Sequence, residues 1–405
     1  MALSEKTRRR IKISLILIPV IIVLLASLLF CANTIARNSN ENFISKISKV
    51  EYDNQLVPYL DTETGYYTFT TDSEFKILQI TDFHITASVT SWAKDRMAFN
   101  AVAAMISYEK PDLVLITGDL TFSVPYELTG DNKKPAVLIA EFMEQLGVYW
   151  AANLGNHDSE SYMYYSRDKI ADVYKNREKY PHSLFMSGPE DVYGYGNYII
   201  NIENTSGEIT QSLVLMDTNN LLKDSKLING DYDCIHADQV KWYESEMYRL
   251  KEINNGIMPN SLMYIHMPPQ EMSTACELYL SGSTSSNIEY LYGENKEEGG
   301  KVYPSTENYG LFDKVLEVGS TKGIFFGHDH LNNMHIKYKG IELGYGMSID
   351  YIAYFGIKNY GKQRGCTVMN VYSDGSFATH QENYYQDKYV PIQTKETVKM
   401  VDMKG

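Results

Sequence analysis

Five short apolar runs in this chain each lead into an acidic or histidine residue, and that recurrence limits the possible folds more than any other feature. Phe75–Ile80 opens onto Thr81-Asp82-Phe83-His84, Leu113–Ile116 onto Gly118-Asp119, and Val148–Ala152 onto Gly155-Asn156-His157-Asp158. Leu262–Ile265 opens onto His266, and Ile324–Phe326 onto Gly327-His328-Asp329-His330. Short apolar runs closed by Gly or Asp read as buried strands. In layered α/β proteins, ligands bind in the crevice beyond the carboxyl ends of the strands, so these polar residues are expected to converge. Each motif alone is weak, since Asp-x-His or Gly-Asp is more often a turn or a cap. All five in order, each after a strand, is a strong signal.

Between the runs lie amphipathic stretches. Trp92–Tyr108, Ala136–Leu146, Arg167–Arg177, Ala237–Ile253 and Tyr309–Val318 are expected as helices, with Gly147 and Gly319 as stop signals. A sixth apolar run, Leu213–Met216, is a strand ending on a turn at Asp217-Thr218-Asn219, and Asn197–Ile202 and Thr367–Tyr372 add further β-structure. Strands separated by helices argue for a layered α/β fold with some parallel pairing. The expectation is a four-layer α/β/β/α sandwich in place of a Rossmann sheet.

The start of the chain has a different chemistry. Residues 1–12 carry a net charge of +4, and 24 uncharged residues follow between Lys12 and Arg37. The apolar stretch Ile13–Ala32 would span roughly 30 Å as a helix, the thickness of a bilayer core. Pro19 is tolerable in a membrane helix. The basic flank keeps residues 1–12 in the cytoplasm as an arm and places the rest outside, at the cell membrane. The run is longer than a usual signal-peptide core, which favours an uncleaved signal-anchor over 13–36 above cleavage at Thr34 and Ala36. Cys31 follows Leu28-Leu29-Phe30, a poor lipoprotein site. Residues 37–73 read as a polar juxtamembrane linker leading into an edge hairpin or strand, 74–385 as the catalytic domain, and 386–405 as a surface tail. Cys234, Cys276 and Cys366 lack metal or disulfide spacing and are expected as buried thiols.

In its ordered motifs D-x-H, G-D, G-N-H-D, H and G-H-x-H, the chain resembles the calcineurin-like metallophosphoesterase superfamily. FKILQITDFH, DQVKWYESEM, YGLFDKVLEVGSTKGIFFGHDHLNN and YGMSIDY resemble its branch related to purple acid phosphatases, including fungal and plant-type relatives. The likeness covers about residues 75–380. It implies a site for two divalent ions (Mn, Fe or Zn), with Asp82, His84, Asp119 and His330 holding one and Asp119, Asn156, His266 and His328 the other. Asp119 would bridge. Mixed carboxylate, imidazole and amide ligands suit those metals better than Mg or Ca. The resemblance further implies hydrolysis of phosphate monoesters by a metal-bound hydroxide, with His157 assisting the leaving group and Asp158 orienting the other ring nitrogen of His157. Purple members carry a Tyr three residues after the Asp of Gly-Asp. Here that residue is Phe122, which has no oxygen to bind ferric iron, so a colourless enzyme is expected.

Other features have two readings. Tyr162, Tyr164, Tyr165 and Arg167 form either a substrate rim or an ordinary surface, and residues 281–306 form either a loop over the site or a tolerated insertion. His182, His236, His335 and His380 lie outside the motifs and are expected to take no part in the chemistry. The total charge of −14 leaves −18 for everything after the arm, which excludes a nucleic-acid polymer as partner and points to a small phosphate ester or a phosphoprotein. A phosphodiesterase acting on nucleotides or lipid headgroups is the alternative enzyme. A non-catalytic surface binding protein is the alternative from another class, and loss of a ligand position would be its mark.

Overall fold

The computed structural model describes residues 4–123, 129–222, 231–282, 287–386 and 388–389. Its strands, in chain order, are β1 (Tyr59–Leu60), β2 (Tyr67–Thr70), β3 (Phe75–Ile80), β4 (Leu113–Thr117), β5 (Trp150–Asn153), β6 (Tyr198–Glu203), β7 (Ile209–Leu215), β8 (Asn260–Tyr264), β9 (Ile288–Tyr292), β10 (Thr321–Phe326), β11 (His335–Tyr338), β12 (Ile341–Tyr345), β13 (Gly365–Val371) and β14 (Phe377–Asn383). The helices are α1 (Glu5–Ile44), α2 (Trp92–Glu109), α3 (Lys133–Leu146), α4 (Arg167–Tyr174), α5 (Ala237–Ile253), α6 (Gln270–Leu280) and α7 (Leu311–Val318).

The strands form two sheets. One has five strands in the order β14-β13-β3-β4-β5, the other nine in the order β1-β2-β6-β7-β8-β10-β12-β11-β9. Within the smaller sheet β3, β4 and β5 are parallel, and within the larger one β7, β8, β10 and β12 are parallel. Strands buried on both faces read as continuous apolar runs, and Leu113–Thr117 and Trp150–Asn153 are buried at every position. The sheets face each other: Tyr198 Oη donates to Ala152 O at 2.9 Å, and the rings of Phe325 and Phe377 meet edge to face. Helices α1–α4 pack beside the smaller sheet and α5–α7 beside the larger, giving the expected mixed α/β sandwich.

Local differences from the sequence reading have physical causes. Gly310 adopts φ 80°, so α7 begins at Leu311, two residues later than its apolar pattern. Helix α6 follows Pro268-Pro269, and its mixed pattern gave no clear period. Helix α1 continues through the expected linker to Ile44, because Phe43 and Ile44 bury themselves in the core, followed by Ile47 and Val50. The edge hairpin within 37–73 is β1 and β2, paired antiparallel. Most of the expected tail lies outside the described residues, but Tyr389 is buried, and its Oη donates to Glu109 at 2.9 Å. The thiols of Cys234, Cys276 and Cys366 are free and buried.

Candidate metal centre

The parallel strands of both sheets aim their carboxyl ends at one point. Asp82 and His84 follow β3, Asp119 follows β4, Asn156 and His157 follow β5, His266 follows β8, and His328 and His330 follow β10. The turns that carry them are tight: Asp82, His84, Asp119 and His328 all have positive φ, between 50° and 75°. Such backbone is uncommon outside glycine and collects at functional sites, where surrounding structure holds it in place. The motif glycines serve close approach. A Cβ on Gly118 would collide with the His266 ring, and one on Gly155 with the Asp119 carboxylate.

Two groups of donor atoms result. Asp82, His84, Asp119 and His330 form one and Asp119, His266 and His328 the other, with the donor atoms of each group within 4.8 Å of one another. Asn156 joins the second, its Oδ1 lying 3.0 Å from His266 Nε2 and 2.9 Å from His328 Nδ1. Asp119 Oδ2 lies 3.2 Å from both His84 Nε2 and His266 Nε2. All seven side chains are buried.

The electrostatics call for added positive charge. Burial raises the Asp82 carboxyl to about 7, helped by the charge of Asp119. Burial also opposes a charge on His266, yet Asp119, Asp82 and the Thr117 carbonyl together outweigh it and lift the imidazole to about 9. Burial holds His330 down to about 3 and, with His266, keeps His328 well below the usual histidine range, so both offer lone pairs. His266 is the sharpest test of fit. Its Nδ1 lies 2.8 Å from Thr117 O and donates there, so Nε2 is the nitrogen turned toward the oxygens of Asn156 and Asp119, and its raised pKa reflects the positive charge that those oxygens favour at that point. A proton on Nε2 meets that demand in the metal-free site, and a divalent metal that displaces it fits the imidazole, amide and carboxylate donors gathered there.

Other residues hold the donors in place. Asp350 places Oδ1 3.2 Å from His84 Nδ1 and Oδ2 3.3 Å from His330 Nδ1. Sequence reasoning missed it, although it follows β12 within the YGMSIDY run and so repeats the strand-to-acid pattern of the other motifs. Arg167 is turned inward: it donates to Leu154 O at 2.9 Å and Gly155 O at 2.8 Å and pairs with Asp217. It braces the loop carrying Asn156 and His157 and is not a rim cation.

The expected role of Asp158 is corrected. Its carboxylate accepts the backbone N–H groups of Leu120 (3.3 Å), Thr121 (2.8 Å) and Gly155 (2.7 Å), so it ties two ligand loops together and faces away from the His157 ring. Glu160 takes the expected place, hydrogen-bonded to His157 Nδ1. The swap has a geometric cause: residues 156–158 form a turn of 3-10 helix, which carries the Asp158 side chain under the loop while residue 160, three positions on, returns to the ring.

A cleft of about 260 Å³ opens over the cluster, walled by His157, Tyr232, Glu297, Tyr303, His330 and Tyr354. Glu297 and Tyr303 come from the 281–306 segment, which therefore contributes to the cleft wall. Tyr164 and Tyr165 line a neighbouring groove of about 1050 Å³ instead. Phe122 packs at 4.8 Å from both the His84 and His157 rings. Of the histidines outside the motifs, His182 pairs with Glu144, His236 with Asp233, His335 with Glu342 and His380 with Glu382.

The chain is similar to several known proteins. The chain is 29% identical over 321 residues to "Probable inactive purple acid phosphatase 14" of Arabidopsis thaliana, covering 71% of this chain and 73% of that one. It is also 29% identical over 315 residues to "Probable inactive purple acid phosphatase 29" of the same plant, covering 71% and 74%. Among solved structures it is similar to a dimetal phosphatase from Danio rerio, with a TM-score of 0.47 at 12% identity, covering 78% of this chain and 98% of that one. The family model for calcineurin-like phosphoesterases matches residues 75–332, a span that holds every proposed ligand, and the chain belongs to that family.

Proposed function

We propose that this chain is an active, membrane-anchored phosphoesterase that hydrolyses phosphate monoesters with two divalent ions. Asp82, His84, Asp119 and His330 would hold one ion, and Asp119, Asn156, His266 and His328 the other. The observation that carries the reading is the sharing of Asp119 between two complete donor groups, with Nε2 of His266 facing the Asn156 oxygen across the second. The plant relatives are named inactive, but no donor position is missing here. When bound, the ions supply Lewis acidity and an activated water at neutral pH.

The protein's own residues do the rest. Burial of the cluster excludes bulk water and strengthens each electrostatic contact. His157 is half-buried at the cleft wall, with its backbone N–H fixed at 2.7 Å from Asp119 Oδ1 and Nδ1 held by Glu160. Nε2 is then left to deliver a proton to the leaving oxygen. Burial disfavours the imidazolium, but Asp119 and Glu160 outweigh it and raise the pKa of His157, which favours the proton-donating form. Helix α1 is the one helix among the described residues long and apolar enough to cross a membrane, and the basic arm before it supports a cytoplasmic N-terminus.

The test is metal analysis of the purified full chain, followed by parallel assays with a phosphomonoester and a phosphodiester. Two ions per chain and monoester turnover are expected. A protein holding two ions that hydrolyses neither ester overturns the reading.

A further inference from the structure

The direction in which α1 crosses the domain says where the cleft lies relative to a bilayer. Helices α2 and α3 each run back from the carboxyl ends of the strands to their amino ends, and α1 runs alongside both. Asn33 Oδ1 accepts from Val89 N at 2.8 Å, in the loop between β3 and α2. One to two turns further along α1, Ser39 Oγ accepts from Arg96 at 2.7 Å and Asn40 Nδ2 donates to Asp95 at 3.2 Å. Beyond the end of α1, Ile47 O accepts from Gln145 and Val50 N donates to Leu146 O at 2.9 Å, at the far end of α3. Travelling backwards along α1, the apolar segment Ile13–Ala32 therefore leaves the domain past the carboxyl ends of β3, β4 and β5. That is the end that carries the metal cluster.

The approach is close. Phe30, inside the apolar run, lies 5.8 Å from Lys134 Nζ, and Phe30 and Asn33 share a crevice with Thr86, Ala87 and Thr129. Ala87 is three residues from His84, at most about 11 Å of chain. Three exposed aromatic side chains stand at the same end: Trp92 after β3 (40% exposed), Tyr164 after β5 (73%) and Phe355 after β12 (106%). Phe355 adjoins Tyr354, which stacks on His330, and the same loop packs through Ile352 on Phe122. Exposed aromatic residues where a spanning helix leaves its domain suit a membrane interface.

We propose that the cleft faces the bilayer in which α1 is anchored, and that its substrate is the phosphate ester of a lipid headgroup in that bilayer. This rests on the phosphoesterase reading above. Rigid docking of α1 fixes the cleft at the headgroup layer, where a lipid in the same membrane meets it at high local concentration. The Phe355 side chain enters the interface beside the opening.

The full chain in phosphatidylcholine vesicles tests both parts. In a Cys31→Ser background, where the remaining cysteines are buried, single cysteines at Phe355→Cys and Asp374→Cys carry a fluorophore. Asp374 lies in the β13–β14 hairpin at the opposite end of the sheet. Brominated lipid should quench the label at 355 and leave the one at 374 bright. Equal quenching, or none at 355, overturns the orientation. Hydrolysis is then compared for phosphatidic acid in the enzyme's own vesicles, phosphatidic acid in separate vesicles, and p-nitrophenyl phosphate in solution. The same-membrane lipid should exceed the separate one by about 100-fold, and Phe355→Ser should lower the lipid rate several-fold with the soluble rate unchanged. Turnover of the soluble ester with no same-membrane advantage sinks the lipid proposal and leaves the phosphoesterase reading standing. Failure on all three substrates with two ions bound removes both.

Discussion

The two halves of the donor cluster differ by one ligand, a carboxylate in Asp82 against an amide in Asn156, and are braced differently. In the half formed by Asp82, His84, Asp119 and His330, both imidazoles turn their second nitrogen toward one buried carboxylate, Asp350, whose own pKa is pulled down despite its burial by His84 and His330. In the other half, His266 leans on a main-chain carbonyl, Thr117 O, and the fourth donor is the neutral amide oxygen of Asn156. A carboxylate behind an imidazole makes it a stronger donor and fixes its ring, whereas a carbonyl fixes the ring with less charge. The first half should therefore bind its ion more tightly, and the second should exchange more readily.

Asp119 belongs to both halves, so the largest effect should come from Asp119→Ala. Both ions should be lost and activity should fall to background, and a variant retaining two ions by elemental analysis would break the shared-ligand assignment. His157→Ala belongs to neither half. It should keep both ions and slow turnover by ~10²–10⁴-fold, and full activity would remove its proposed role. Asp350→Asn should weaken one ion by about 10–100-fold and leave the other nearly unchanged. Stepwise metal titration reads this difference, and equal weakening of both ions would erase the distinction between the halves.

The pH profile is a finer probe. Glu160 helps raise the pKa of His157 against its burial. A raised histidine pKa keeps the proton-donating form to higher pH, so Glu160→Gln should lower that pKa and move the alkaline limb of kcat/KM to lower pH. A shift to higher pH, or none, would detach Glu160 from the function of His157. The smallest effect is spectroscopic. With Phe122 packed where purple members carry a phenol, the iron-loaded protein should show no visible charge-transfer band, and such a band would mean that another residue supplies a phenolate.

The strand-to-ligand rhythm made much of the fold legible. Phe75–Ile80 is β3 without adjustment, and Ala237–Ile253 is α5 to the residue, because each combines a clear period with clear ends. Short or mixed segments were not legible, as with α6 and with β9 in its polar surroundings, because they are stabilised by contacts distant in sequence. At the site, seven residues from separated motifs meet in two buried groups. Asp350 stayed hidden because nothing local distinguishes it from a turn aspartate. Asp158 was misread because adjacency in sequence suggested a contact that the 3-10 turn prevents, and Arg167 because its partner, Asp217, lies 50 residues away.

By itself, the sequence determined which elements form and which residue types stand at the carboxyl end of each strand, since both depend on local periodicity and on turn chemistry. It also determined that the first helix is apolar enough for a bilayer. Only the tertiary structure decided which nitrogen faces which oxygen, that Asp350 stands behind two imidazoles and Glu160 behind a third, and that α1 leaves the domain at the end holding the buried donor cluster. Those outcomes depend on how distant segments pack, and packing is set by the whole core at once and not by any stretch of chain read alone.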